Sequence, residues 1–418
     1  MTAPQQAPPT TAGKDIHMGL LAERVNRIKP SPSSMAGQRA RELRASGRDI
    51  LGLTAGEPDF DTPENVVEAA VRAMAQSRTK YTDVGGTPEL KAAIADKFNR
   101  ENKLDYRKDE IIVGTGGKQV IFNALMSTVG KGDEVIVPAP YWVSYPDIAL
   151  LAGATPVFAA TRAQDGFKLR ADDLERAITP RTRWLILNAP NNPSGATYSI
   201  DELRALADVL LRHPHVWILS DDMYEHILYD DRRFYTMAQV EPELKCRTLT
   251  VNGVSKAYAM TGWRIGYAGG PAQLIKAMTK LQSQSTSSPS SVGQAAAQEA
   301  LSGPQDFIAQ RTAIFQQRRD FLVDTLNRIP GIRCHTPEGA FYAFPSCQAL
   351  MGRGTPQGQV LRSDEDFIMY LLEEVDFAVL QGAAYGVSPY FRLSFAASMG
   401  SIEEGCDRLR RACEKLAC

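Results

Sequence analysis

The chain has 418 residues, 44% of them apolar, which is ample for a large core and too long for one small domain. Its 47 basic residues balance 48 acidic ones, a formal charge of -1 without runs of one sign, so nothing points to nucleic acid or another polyanion as a partner. The longest apolar stretches, such as Val216-Trp217-Ile218-Leu219, have strand length and speak against a transmembrane helix.

Residues 1–17 (MTAPQQAPPTTAGKDIH) are polar and carry no Arg. They lack the apolar core of a signal peptide and the basic face of a transit peptide, so they read as a disordered extension of a cytoplasmic protein, with Met18 an alternative start. Residues 18–62 are expected to form an N-terminal arm and part of a smaller domain. The pattern then predicts helices over Pro63–Ala75 and Pro88–Asn99, the second with Leu90, Ala93, Ile94 and Phe98 on one face. Strands are predicted at Glu110–Gly114, Glu134–Val137, Trp184–Leu187, Val216–Ser220, Thr248–Val251 and Ile265–Ala268, with helical segments such as Ile200–Leu211 between several of them. Strands alternating with helices imply an α/β fold whose central sheet is mostly parallel, with ligands at the strand ends. We assign this large domain to residues 63–305.

Beyond the Ser-rich stretch Ser283–Ser291 the character changes. A long helix over Pro304–Arg328 leads into short strands at Phe341–Phe344, Phe377–Leu380 and Tyr390–Ser394 and a final helix. This predicts a small C-terminal α+β domain over 306–418, joined by part of the N-terminal segment. The six cysteines show no CxxC spacing and read as reduced thiols, and His213 and His215 lack a nearby third ligand, so no metal site is expected.

Six local patterns carry chemistry. Gly114-Thr115-Gly116-Gly117-Lys118-Gln119 follows a strand and opens a helix, where bare N–H groups suit a phosphate; it is not a Walker loop, since GKQ stands in place of GK[ST]. Pro140-Tyr141-Trp142-Val143-Ser144-Tyr145 offers flat aromatic faces. Pro190-Asn191-Asn192-Pro193-Ser194-Gly195 is a turn at a strand end. Asp221 ends the apolar strand 216–220, where a buried carboxylate needs a partner, or serves as a helix N-cap. Arg392, in Phe391-Arg392-Leu393-Ser394-Phe395, presents a fork that fits a carboxylate. Lys256, in TVNGVSKAYAMTGWRIGY, reads alone as a surface lysine, and GVSKA is not a nucleophile elbow because Ala257 replaces the second glycine.

Taken together, Ser255-Lys256 followed at Arg264 by a TGWRIGY context resembles the cofactor-lysine signature of class I (fold type I) aminotransferases. The resemblance spans about residues 20–415 and is nearest to bacterial aspartate aminotransferases with a Gly-Gly-Lys loop, relatives of prephenate aminotransferases. It implies pyridoxal 5'-phosphate as cofactor, held on Lys256 as a Schiff base beside Ser255. Gly116, Gly117 and Arg264 would then bind its phosphate, Trp142 stack on its ring, and Asn192 and Tyr224 reach its phenolic oxygen. Asp221 would keep the ring nitrogen protonated. Arg392 would clamp the substrate α-carboxylate near Gly56, and Tyr81 would reach the phosphate of a neighbouring subunit in a homodimer with shared sites.

Substrate choice rests on fewer residues. Residues 276–310 contain no Arg to clamp a distal carboxylate, so the resemblance assigns that task to Lys118, assisted by Ser33 of the segment Lys29-Pro30-Ser31-Pro32-Ser33-Ser34. Aspartate with 2-oxoglutarate is the first expectation, prephenate or another dicarboxylic oxo acid the second, and aromatic amino acids the third. A lyase on the same fold would reuse Lys256, Asp221 and Arg264. A regulator fused to a DNA-binding module would need more chain, and more basic charge, than residues 1–30 supply.

Overall fold

The computed structural model of the chain describes residues 21–28 and 32–417, without the side chains of 32–37. The N-terminal extension, Met18, Lys29-Pro30-Ser31 and the side chain of Ser33 lie outside the described residues. Twelve strands occur among those described. The first, β1 (Leu51–Gly52), belongs to a peripheral pair. The next seven are β2 (Ile111–Gly114), β3 (Glu134–Ala139), β4 (Thr155–Ala160), β5 (Thr182–Asn188), β6 (Trp217–Asp221), β7 (Thr248–Gly253) and β8 (Gly266–Gly269). They form one sheet in the order β2-β8-β7-β6-β5-β3-β4. Within it β4, β3, β5, β6 and β7 run parallel, while β8 is antiparallel to both β7 and β2. This is the mostly parallel α/β sheet that the alternating pattern predicts.

The strands form where apolar residues run without a break, since helices cover both sheet faces. Ile111, Ile112 and Val113 in β2, Trp184 to Leu187 in β5 and Ile218 and Leu219 in β6 are all buried. The helix Ile200–Arg212 opens on a capping box between Ser199 and Glu202, and turns Leu203, Leu206, Ala207 and Leu210 onto the sheet. The edge strand β4, sequence TPVFAA, was not predicted. Its Pro and Ala content masks the strand pattern, and Phe158 on it remains half exposed.

The remaining strands are β9 (Tyr342–Ala343), β10 (Phe377–Ala378), β11 (Leu380–Gln381) and β12 (Phe391–Ser394). Here the structure differs from the sequence reading, because the single strand predicted over Phe377–Leu380 divides. Its first half, β10, pairs in parallel with β1, and its second half, β11, joins the three-stranded sheet β11-β12-β9. A core containing Phe315, Leu322, Phe341, Phe367, Phe391 and Leu409 lies between these strands and the helices Asp306–Arg328, Asp364–Val375 and Met399–Glu414. Ala40 and Leu43 of the helix Pro32–Ala45, together with Ile50 beyond it, pack on the same part of the molecule against Leu372 and Ala378. No helix among the described residues is long and apolar enough to cross a membrane.

Candidate active site

The C-terminal ends of β5, β6 and β7 open onto a cavity of ≈ 540 Å³, and β12 closes it from the opposite side. In a parallel sheet these ends collect the turns that lead into helices, so chemistry-bearing side chains meet there from distant sequence positions. Eleven of the fourteen residues singled out in the sequence line the cavity: Gly56, Gly117, Lys118, Trp142, Asn192, Asp221, Tyr224, Ser255, Lys256, Arg264 and Arg392. Gly116 lies just behind, against the Arg264 guanidinium. Tyr81 stands apart on the surface at 93% exposure. Ser33 falls in the helix Pro32–Ala45, and its side chain is outside the described set.

Asp221, the last residue of β6, is buried. Its Oδ2 accepts from the Tyr145 hydroxyl at 2.5 Å and its Oδ1 from the Met223 N–H at 3.3 Å. Burial pushes the carboxyl pKa up while these two donors pull against it, so a cationic donor arriving from the cavity would favour the ionised form. Its carbonyl accepts from Asn188 Nδ2 at 2.9 Å, and Asn188 Oδ1 in turn accepts from the Asn192 N–H at 2.9 Å. The two strand ends are thereby tied at the cavity floor.

Lys256 follows β7 in a turn, half buried beside the cavity. Its ammonium donates to the Gly56 carbonyl at 2.6 Å and lies 5.8 Å from the Tyr224 ring centre. Burial first, then the positive charges of Arg392 and Arg264, lower its pKa from 10.5 to about 8. A far larger share of this amine than of an ordinary lysine, though still a minority of it, is therefore neutral and nucleophilic near physiological pH.

Arg264 adopts the left-handed conformation at φ 58, held by a hydrogen bond from Nη1 to the Thr261 carbonyl at 2.8 Å. Its guanidinium lies so close to Gly116 that a Cβ there would stand 2.4 Å from Nη2. A Cβ at Gly266 would meet the Gly117 nitrogen at 2.2 Å. These glycines let β8 and Arg264 close on the start of the helix Gly117–Thr128, where unpaired N–H groups and a cation face the same cavity. That combination suits a phosphate.

Arg392, on β12, is buried. It donates to Asn192 Oδ1 at 3.1 Å and to the Thr54 carbonyl at 2.8 Å, while Nε makes no hydrogen bond among the described residues. Its guanidinium lies over the Tyr342 ring at 4.4 Å and the Tyr385 ring at 5.3 Å. A buried cation with an unused donor, and no carboxylate partner among the described residues, is a receptor for an anionic group. At the rim, the exposed Lys118 holds its Nζ 4.9 Å from the Trp142 ring, where partial desolvation followed by the nearby Arg264 charge lowers its pKa.

The sequence reading missed Tyr145, Asn188, Tyr342 and Tyr385. Asn188, the last residue of β5 and two positions before the Pro190 turn, carried a readable signal as a polar residue ending an apolar strand. Tyr145 closes the aromatic pattern read at 140–145, where only Trp142 was given a role; Tyr342 and Tyr385 carried no signal, because aromatic residues near apolar ones read as core.

The arrangement combines a neutralisable lysine, a buried aspartate, a phosphate-shaped cradle and a carboxylate-shaped receptor around one cavity. A family model described as aminotransferase class I and II matches residues 48–409. The aspartate/prephenate aminotransferase of Cereibacter sphaeroides is 56% identical over 400 residues, covering 96% of this chain and all of the relative (100%). Among solved structures, the aspartate aminotransferase from Rhizobium meliloti superposes with a TM-score of 0.93 at 56% identity, covering 95% of this chain and 99% of that one. The Thermus thermophilus aspartate aminotransferase with maleate gives 0.88 at 42% identity, covering 94% and 100%.

Proposed function

The chain belongs to the class I and II aminotransferase family, and from that premise we propose that it moves the amino group of aspartate to 2-oxoglutarate with pyridoxal 5'-phosphate as cofactor. The observation that carries the reading is the meeting of Lys256, Asp221 and Arg392, from three distant segments, on one cavity. When bound, the cofactor supplies an electron sink for the carbon that loses its amino group. The helix N-terminus at Gly117, with Gly116 and Arg264, would hold the phosphate, beside Ser255. Trp142 would shield the ring. Asn192 and Tyr224 would serve the ring oxygen, and Asp221 would hold the proton on the ring nitrogen.

Arg392 binds the α-carboxylate with the donors it does not use internally and so orients the α-carbon. The Lys256 amine, its pKa lowered by burial and by Arg392 and Arg264, would hold the cofactor and would move the α-proton. Lys118, assisted by Ser33, takes the distal carboxylate. The relatives are named for aspartate or for aspartate and prephenate, which supports a dicarboxylic substrate and makes prephenate the second reading. A homodimer with Tyr81 serving the neighbouring subunit fits the exposure of that residue, and fits Val67, Val71 and Met74, which stand half exposed along the helix Glu64–Ala75.

A panel of aspartate, glutamate, phenylalanine and alanine as donors against 2-oxoglutarate, oxaloacetate and prephenate tests the substrate. Aspartate with 2-oxoglutarate, or prephenate with a dicarboxylic donor, is expected to give the highest kcat/KM. Aspartate alone should convert the cofactor to its amino form once per site. Steady release of pyruvate or ammonia instead would identify a lyase. Lys256→Ala should lose the visible absorbance of the covalently held cofactor and nearly all turnover.

A further inference from the structure

We propose that Tyr342 is a positioning residue that couples the carboxylate receptor Arg392 to the hydroxyl of Tyr224. The proposal rests on the roles assigned above to Arg392 and Tyr224 and adds a connection between them. Tyr342 is the first residue of β9 and pairs with Ser394 of β12. Because alternate residues of a strand share a face, Arg392 projects to the same side as Ser394 and crosses diagonally over the Tyr342 ring. The guanidinium lies 4.4 Å from that ring centre, and the ring's hydroxyl lies 2.9 Å from the Tyr224 hydroxyl. Tyr342 is 1% exposed, so solvent offers no competing partner.

Two hydroxyls at this distance share one proton between them, and the second proton must point elsewhere. A cation over the Tyr342 ring makes its O–H the stronger donor, since positive charge favours the form with less hydrogen on oxygen. Tyr342 then donates to Tyr224, and the Tyr224 proton is left to point into the cavity that both residues line. Donors in series strengthen one another, so Tyr224 becomes the better donor to an acceptor oxygen in the cavity. An arriving carboxylate neutralises Arg392 and weakens the chain at its first link. Substrate binding at one end of the cavity is thereby felt at the Tyr224 oxygen.

The test is a cycle of Tyr342→Phe, Tyr224→Phe and the double variant in the cofactor-loaded enzyme. The readout is the pH midpoint of its visible absorbance, with an unfolding midpoint measured to establish that each variant is folded. Phe keeps the ring beneath Arg392 and removes only the hydroxyl. Tyr342→Phe should raise the pH midpoint by about half a unit, roughly threefold in proton affinity, and the rise should vanish in the Tyr224→Phe background. Maleate, a dicarboxylate without an amino group, should shift the midpoint less in Tyr342→Phe than in the parent. Equal shifts in both backgrounds, or no shift in either, would overturn the coupling. Arg392→Lys separates this from the functional reading: unchanged maleate affinity in that variant would remove Arg392 as the receptor, whatever the cycle gives.

Discussion

Lys97 is fully buried, yet it belongs to no catalytic step. Its ammonium is bonded to Glu225 Oε1, lies 2.8 Å from Asn102 Oδ1, and lies 3.3 Å from Glu101 Oε2. Glu225 is completed by Asn102 Nδ2 and Asn252 Nδ2, each at 2.7 Å. Glu101 also meets His226 Nε2 at 2.9 Å; burial opposes its charge, but the His226 hydrogen bond and the Lys97 charge prevail and hold its pKa at about 2. Three elements are joined: the helix Pro88–Asn102, the turn after β6 that follows Asp221 and carries Tyr224, and β7, which leads to Lys256. Lys97→Met keeps the side-chain length but leaves the Glu225 carboxylate without its cation in a dry site. Breaking a buried pair from one side costs about 3–5 kcal/mol. Glu225→Gln leaves Lys97 with Asn102 and Glu101, so its cost should fall nearer the value of one charged hydrogen bond, about 1.5–3 kcal/mol. The double variant removes both charges and should lose less than the sum, with a coupling of roughly 2 kcal/mol. Urea unfolding of the cofactor-loaded protein, followed by circular dichroism, measures all three. A Lys97→Met variant within about 1 kcal/mol of the parent, or strictly additive single variants, would refute the reasoning.

Three further outcomes are expected. Burial, then the neighbouring Glu225, raises the Asp222 carboxyl from 3.8 to about 8, so over that interval the folded chain keeps a proton that the unfolded chain has released. Stability therefore falls as pH rises from about 4 to about 8, and Asp222→Asn should flatten that slope; urea midpoints that fall equally steeply with pH in parent and variant would contradict the assignment. Gly266→Ala drives a Cβ to 2.2 Å from the Gly117 nitrogen and should open the phosphate cradle, weakening pyridoxal phosphate binding in equilibrium dialysis about tenfold or more, the worth of one charge-assisted hydrogen bond. Unchanged affinity would show that the cradle tolerates the shift. In the cofactor-free protein, the rate of covalent pyridoxal phosphate uptake should rise with a midpoint at about pH 8, where the Lys256 amine loses its proton, and a midpoint at the ordinary lysine value of 10.5 would dissociate uptake from that environment.

Much of the fold was legible because its central strands are continuous apolar runs between amphipathic helices, and both signals are local. Failures occurred where pairing, not composition, decides. The run Phe377–Leu380 looks like one strand, but β10 pairs with β1 and β11 with β12, a division set by chain segments more than three hundred and about ten residues away respectively. The site was legible as motifs with polar or glycine residues in unusual company, such as Asn192 or Gly116. Tyr342 was not, because its meaning comes from a hydroxyl contact spanning 118 positions. Lys97 lay in plain view on a predicted helix, three residues after Ile94 and next to Phe98, on the face that turns inward. A lysine on an apolar stripe was a readable sign of a buried counter-charge.

The turn from Asp221 to His226 shows why chemistry and substrate choice need not share residues. Asp221 is held by Tyr145, Asp222 by Ser220 of its own strand at 2.7 Å, Tyr224 by Tyr342, and Glu225 and His226 by Lys97 and Glu101 of the helix Pro88–Asn102, so five of these six side chains are fixed, four of them to three other elements of the fold. Each anchor except the half-buried Glu101 is buried. Moving any one of them strains the others, which keeps the ring-facing groups within the narrow tolerances that proton transfer demands. Lys118 is different: exposed, lying over Trp142 with no ion pair among the described residues, it can change partner or identity without disturbing that turn. Under the roles proposed above, discrimination among dicarboxylic substrates would belong to the loosely held rim, and the proton chemistry to the tethered floor.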